Sequence, residues 1–312
     1  MQPFDPRIQP PRHPQAGGPF MPPFAAPGAR GAGFPPAGPN FHPAIPLPSG
    51  TILAQRFEVV EPIGEGNCGF VYLTRDRTAQ NALRALKTFD PRRGDDKDAE
   101  LFKREVRLLM SLSHPHIPKV EAQGEHQGML CASMAFIDGE DLFDFIGRRG
   151  PMSEHEARDV MRQVLEVLVY LHGQKPPVLH RDLKPENLLR DADGKIWLID
   201  FGSASDRTHD KQGVAIEALT TMHTLGYAAP EQAMGLEAYP SSDLYGLACT
   251  VLYLLTGKNP LLLYDGQHAR LEWKVALSEG LDALLKSMLA MPAKERPQTA
   301  QEALARLGTF GI

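Results

Sequence analysis

The rhythm of apolar positions changes along the chain. From Met1 to about Gly50 no helical or strand period exists, and prolines and glycines recur every few residues, with pairs at Pro10-Pro11, Pro22-Pro23 and Pro35-Pro36. Each proline removes a backbone donor and fixes φ, so residues 1–50 are predicted to form a disordered, polyproline-like tail. Order is predicted to begin near Arg56. Phe57-Glu58-Val59-Val60 and Gly69-Phe70-Val71-Tyr72-Leu73 read as strands around a glycine-containing turn, a hairpin. A further apolar stretch ends at Lys87, and Leu101, Val106, Leu109 and Met110 then recur at roughly helical spacing. Beyond Asp138 helical patterns dominate. Ser153 and Glu156 form a capping box that opens a helix with apolar Val160, Val164, Leu168 and Leu171. Leu244 to Leu255 is apolar on nearly every side, as a helix through the centre of a lobe would be. The pattern predicts an α+β chain in two parts: a small strand-rich lobe with one helix over 57–137, and a larger helical lobe over 138–308.

With 312 residues, the chain is long enough for two lobes around a cleft. A net charge of -5 with both signs dispersed provides no basic footprint, so neither nucleic acid nor an anionic membrane is an expected partner. Cys68, Cys131 and Cys249 lie far apart without C-x-x-C spacing, which argues against a disulfide framework or zinc and points to a reducing cytoplasm. Apolar runs such as Leu252 to Leu255 are too short to cross a bilayer, and the N-terminus lacks a signal pattern. In the tail, Pro19-Phe20-Met21-Pro22 and Pro43-Ala44-Ile45-Pro46 have P-x-x-P spacing, which suits either a solvated tether or docking to an aromatic-lined groove.

Gly64-Glu65-Gly66-Asn67-Cys68-Gly69 has the form G-x-G-x-x-G. A dinucleotide fold would place a helix directly after these glycines, whereas β-prone residues follow here and lead to Ala85-Leu86-Lys87. A loop over nucleotide phosphates and an ordinary hairpin turn both suit the segment taken alone, glycine allowing close approach of backbone amides to anionic oxygens. Lys87 is either a snorkelling edge residue or a cation aimed into the cleft. Glu105, in mid-helix, is either a solvated glutamate or the partner that holds Lys87 against the phosphates.

His180-Arg181-Asp182-Leu183-Lys184-Pro185-Glu186-Asn187, followed after a short apolar strand by Asp200-Phe201-Gly202, decides between these readings. From about Phe57 to Leu307 the chain resembles the eukaryotic-like (Hanks-type) serine/threonine protein kinases, with the motifs in family order. The resemblance implies the bilobal protein kinase fold and ATP-dependent phosphorylation of protein serine and threonine. It implies that Asp182 accepts the proton of the acceptor hydroxyl, that Lys184 neutralises the transferring phosphoryl group, and that Glu105 holds the Lys87 ammonium against the α- and β-phosphates. Asn187 and Asp200 would hold Mg2+, or Mn2+ in its place. Ile63, Val71, Ala85 and Leu189 would enclose the adenine, with Ala135 and Ile137 as the hinge.

Ala229-Pro230-Glu231 closes the segment that Asp200 opens and implies a protein rather than a small-molecule acceptor. By the same resemblance Glu231 pairs with Arg296, Asp243 braces the catalytic loop, His180 supports it, and Thr224 lines a serine/threonine acceptor pocket. Arg181 beside the catalytic aspartate, with Thr220 and Thr221 upstream of Thr224, implies an activation segment ordered by its own phosphorylation. Gly226-Tyr227-Ala228-Ala229-Pro230-Glu231-Gln232 is most similar to bacterial members. Two positions depart from the usual pattern: Arg84, where an apolar residue is common, and Cys68 in the glycine loop, either a redox-sensitive thiol or simply a tolerated one. The alternative to an active enzyme is a pseudokinase, or an adaptor acting through the proline-rich tail.

Overall fold

The computed structural model describes residues 45–66, 68–204, 226–265 and 270–309. Residues 1–44, Asn67, Thr220, Thr221 and Thr224 lie outside them. The N-terminal lobe is built on β1 (Ile52–Leu53), β2 (Phe57–Gly66), β3 (Gly69–Asp76), β4 (Ala82–Phe89), β5 (Val120–His126) and β6 (Met129–Ala135). They form one antiparallel sheet in the order β1-β2-β3-β4-β6-β5. β2 and β3 make the expected hairpin, with Gly66 opposite Gly69 at its tip. Register shifts between Val59 and Glu61 and between Pro62 and Gly64 add twist just before the glycines, and Pro62, which cannot donate to the ladder, sits at one of them.

Helix α1 (Asp96–Ser111) follows β4. Its N-terminus is closed by a capping box in which Asp95 accepts from the Asp98 amide and the Asp98 side chain accepts from Asp95. The buried stripe is Phe102, Glu105, Val106 and Leu109. Met110, expected on this apolar face, is 50% exposed, and a glutamate is buried instead. Packed structure also starts upstream of Phe57. Leu47 packs against the cluster of Leu53, Phe57, Val59, Tyr72 and Leu86, and its amide donates to the Tyr72 hydroxyl at 3.1 Å, so Leu47, assigned by composition to the tail, is seated on the sheet.

In the second lobe, α2 (Leu142–Arg149), α3 (Glu154–His172), α4 (Pro230–Ala233), α5 (Pro240–Thr256), α6 (Glu279–Met288) and α7 (Ala300–Thr309) surround a small sheet of β7 (Gly139–Asp141), β8 (Leu188–Asp191) and β9 (Ile196–Leu198). Ser153 and Glu156 cap α3 as predicted. α5 is buried from Ser241 through Leu255, with α3, α6 and α7 packed on it. One core cluster runs from Phe102, Val106 and Leu109 of α1 through Phe201 into α3 and α5, so the first helix and the chain after Asp200 share an apolar foundation. Among the described residues no helix is long and apolar enough to cross a membrane.

Candidate active site

β4 delivers Lys87 and α1 delivers Glu105. The ammonium Nζ lies 2.5 and 2.7 Å from the two Glu105 oxygens and 3.2 Å from Asp200 Oδ1. Burial alone would drive the Lys87 proton off, but the Asp200 and Glu105 carboxylates outweigh it and raise the lysine above its ordinary value. Lys87 in turn holds Asp200 down at about 2, against an opposing effect of burial and with help from Lys184. The cleft therefore presents a fixed ammonium beside an ionised carboxylate. Asp200 sits at φ 58°, a left-handed conformation that costs a non-glycine residue energy and that recurs where function imposes it.

The loop from His180 to Asn187 follows the same logic. Lys184 Nζ is 2.8 Å from Asp182 Oδ2, and Asn187 Nδ2 donates to that oxygen at 3.0 Å and to the Asp182 carbonyl at 2.7 Å. Asp182 Oδ1 is buried and has no hydrogen-bond partner among the described residues. The Ile199 amide donates to the Asn187 carbonyl at 3.0 Å, which brings Asn187 alongside Asp200. Because the Asn187 amide nitrogen is spent on Asp182, its Oδ1 is left as an acceptor, while Asp200 Oδ2 accepts nothing among the described residues.

Asp243 at the start of α5 braces this loop from below. Its Oδ2 accepts from the His180 amide at 2.9 Å and its Oδ1 from the Arg181 amide at 2.7 Å, which fixes Arg181 at φ 67°. Burial opposes the Asp243 charge, but the His172 imidazole at 2.9 Å and these amides leave its carboxyl below the usual range. The His180 ring packs edge-on to Phe201, 4.9 Å between centroids.

Above the lysine, Ile63, Val71 and Ala85 form one buried apolar cluster with Leu73, Met134 and Phe136 against it. Leu189 is buried on β8 but is not part of that cluster. Gly69 meets a hard constraint, since a Cβ there would lie 1.9 Å from the Thr88 carbonyl oxygen. Cys68 is half-buried, and burial together with the Asp98 carboxylate pushes its thiol up to about 11, the reverse of what a redox-sensitive cysteine needs. Arg84 pairs with Glu121 at 2.6 Å, which accounts for a charge at that position. Farther down, Glu231 and Arg296 form the expected pair with bonds of 2.7 and 2.9 Å, the guanidinium fully buried.

The comparisons agree with this geometry. The family model described as protein kinase domain matches residues 57–306. The chain belongs to the protein kinase family. Hanks-type bacterial serine/threonine-protein kinases are among its relatives. It is 35% identical over 277 residues to serine/threonine-protein kinase F of Synechocystis, covering 82% of this chain and 55% of that protein. It is 37% identical over 233 residues to serine/threonine-protein kinase PknF of Mycobacterium tuberculosis, covering 72% and 46%. To pkn2 of Myxococcus xanthus it is 31% identical over 274 residues, covering 82% and 32%. The chain thus spans about half the length of the first two relatives, or less.

This kinase domain also contains supporting residues that motif reading passed over. Gln232 Nε2 donates to the Arg181 carbonyl at 2.9 Å, tying α4 to the loop that holds Asp182, and Ser242 donates to Glu231 at 2.6 Å. His172 closes α3, where a histidine reads as a favourable helix-dipole residue, and nothing local to it signals a partner on α5.

Proposed function

We propose that the protein transfers the γ-phosphoryl group of ATP to serine and threonine hydroxyls of proteins. The observation that carries this reading is the Asp182 carboxylate, with Oδ2 held by Lys184 and Asn187 and Oδ1 without a partner among the described residues. An acceptor hydroxyl donating to Oδ1 would be oriented for attack and relieved of its proton, help worth about 100- to 10,000-fold. Lys184, already charged beside Asp182, would offset the charge on the transferring group, and Lys87 would hold the α- and β-phosphates.

Ile63, Val71 and Ala85 offer an apolar surface for the adenine, with Leu189 closing it from the other lobe. At the hinge the Ala135 amide is taken by the Lys119 carbonyl at 3.0 Å, whereas the Ile137 backbone has no hydrogen bond among the described residues and can read the base. A divalent cation fits the free oxygens of Asn187 and Asp200, and as hard oxygen ligands they suit Mg2+ or Mn2+. Bound there, the metal would neutralise charge between the β- and γ-phosphates.

A protein acceptor is supported by the Ala229-Pro230-Glu231 platform locked by Arg296, and serine/threonine choice by the names of the relatives and by Thr224. Thr220 and Thr221 are proposed autophosphorylation sites read by Arg181. We place the kinase domain at 57–308, hinged after residue 137, behind a proline-rich tail available as tether or docking segment. Three free cysteines, two of them buried, support a cytoplasmic location. A pseudokinase or adaptor role finds no support in a site this complete. The test is radiolabel transfer from ATP with Mg2+ by wild type and by Asp182→Ala, with mass spectrometry of residues 203–224. Absence of transfer by the wild type overturns the reading.

A further inference from the structure

The turn that joins β4 to α1 grips the glycine-rich hairpin. The Asp90 amide donates to the Cys68 carbonyl at 2.7 Å, and Cys68 Sγ lies 3.8 Å from the Arg93 carbonyl. Arg93 Nη2 lies 3.4 Å from both Glu65 Oε1 and the Gly66 carbonyl, and its guanidinium stands 5.2 Å from the centroid of the Phe70 ring. The contacts span both strands of the hairpin. Arg93 is sequestered in making them, its side chain 14% exposed, whereas neighbouring Arg92 is 80% exposed and among the described residues bonds only Asp90.

The turn is built for this contact. The Arg93 amide donates to the Asp90 carbonyl at 2.9 Å, which closes the bend. At Gly94 a Cβ would stand 2.8 Å from Cys68 Sγ and 2.9 Å from both Asp98 Oδ2 and Phe89 Cε2, so any larger residue would have to displace one of these side chains. Asp95, immediately after, caps the helix that carries Glu105. The hairpin, the turn and the partner of Lys87 are therefore consecutive links of one chain of contacts. The hairpin itself has glycine at 64, 66 and 69, which supplies backbone freedom but no side chain to hold its own position.

We propose that Arg93 is a positioning residue that clamps the glycine-rich hairpin to the start of α1, so that opening the hairpin for nucleotide exchange requires breaking the contacts of Arg93. The nucleotide part of this inference rests on the kinase reading above. The mobility of the hairpin does not, and that separates the two in experiment.

Hydrogen exchange over residues 60–73 is measured on the nucleotide-free full chain for wild type, Arg93→Ala, Arg93→Lys and Arg92→Ala. Loss of the cation–π and hydrogen-bond contacts is expected to speed exchange about fivefold in Arg93→Ala. Arg93→Lys, keeping the cation but not the fork, is expected to fall between, and Arg92→Ala to match wild type. In turnover, Arg93→Ala is expected to raise KM for ATP about fivefold with kcat altered less than twofold. Unchanged exchange in Arg93→Ala, or an equal effect from Arg92→Ala, overturns the clamp. Faster exchange with an unmoved KM overturns its role toward the nucleotide. Should the wild type neither bind ATP nor transfer phosphate, the kinase reading falls while exchange still decides the clamp.

Discussion

Lys87 and Glu105 meet at 2.5 and 2.7 Å, on a strand and a helix joined by a single turn, with the glutamate 6% exposed. A charged side chain on the buried stripe of an amphipathic helix is costly unless paired, so α1 can dock in this pose only while its partner is in place. The pair thereby reports whether the helix is seated.

Glu105→Gln keeps the volume and removes the charge. Lys87 then retains Asp200, 3.2 Å away, and loses its stronger anchor. Charge-assisted bonds of this kind contribute about 1.5–3 kcal/mol, so kcat/KM for ATP is expected to fall about 10- to 100-fold. Steady-state kinetics on the purified variant measures it, and a value within twofold of wild type would remove Glu105 from the machinery.

The Glu231–Arg296 pair makes a structural prediction. Arg296 also donates to the Ala290, Met291 and Ser241 carbonyls and lies over the Tyr245 ring, so Arg296→Ala strands a buried carboxylate and takes a donor from three carbonyls at once. The expected loss is about 3–5 kcal/mol in urea unfolding. Adding Glu231→Gln should recover part of it, because the uncompensated charge goes with it. A double variant no more stable than the single one would show that packing, not charge, dominates there.

The glycines of the hairpin are not equivalent. Gly69→Ala drives a methyl into the Thr88 carbonyl at 1.9 Å and must part β3 from β4, whereas at Gly66 the nearest atom to a new Cβ is 3.8 Å away. Gly69→Ala is expected to cost about 1–3 kcal/mol and Gly66→Ala less than about 1. Thermal melts of the two side by side test the ranking, and equal losses would refute it.

Much of this was legible in the sequence because the chemistry is carried by contiguous motifs: Asp182 to Asn187 and Asp200 to Gly202 name their own neighbours. The Lys87–Glu105 and Glu231–Arg296 pairs became legible only through the family resemblance, since each partner alone reads as an ordinary surface charge. Arg93, His172 and Gln232 were not legible. Each acts through a backbone group or a side chain on another element, and no local pattern encodes which carbonyl a guanidinium or an amide will reach. Leu47 escaped for a related reason, because one apolar residue among prolines carries no period, although the sheet beneath it has a place for it.

Asp141 links burial to pH. It caps α2 by accepting the Asp144 amide at 2.8 Å, yet it is only 3% exposed. Burial pushes its carboxyl up to about 7, the Asp144 and Glu186 carboxylates add to this, and the amides of Asp144 and Phe143 pull against it. In the unfolded chain the group returns to about 3.9. Between these values the folded state holds a proton that the unfolded state has released, so the contribution of Asp141 is full below about pH 4 and is lost as pH rises through about 7. Asparagine caps a helix as well as aspartate and cannot ionise. Asp141→Asn should therefore match wild type near pH 4 and exceed it at pH 8 by up to about 4 kcal/mol, a gap that widens up to about pH 7 and is flat beyond it. Paired urea titrations across that range measure the gap. A gap constant with pH would mean that Asp141 ionises as an exposed carboxylate does, and that the capping bond alone sets its energetics.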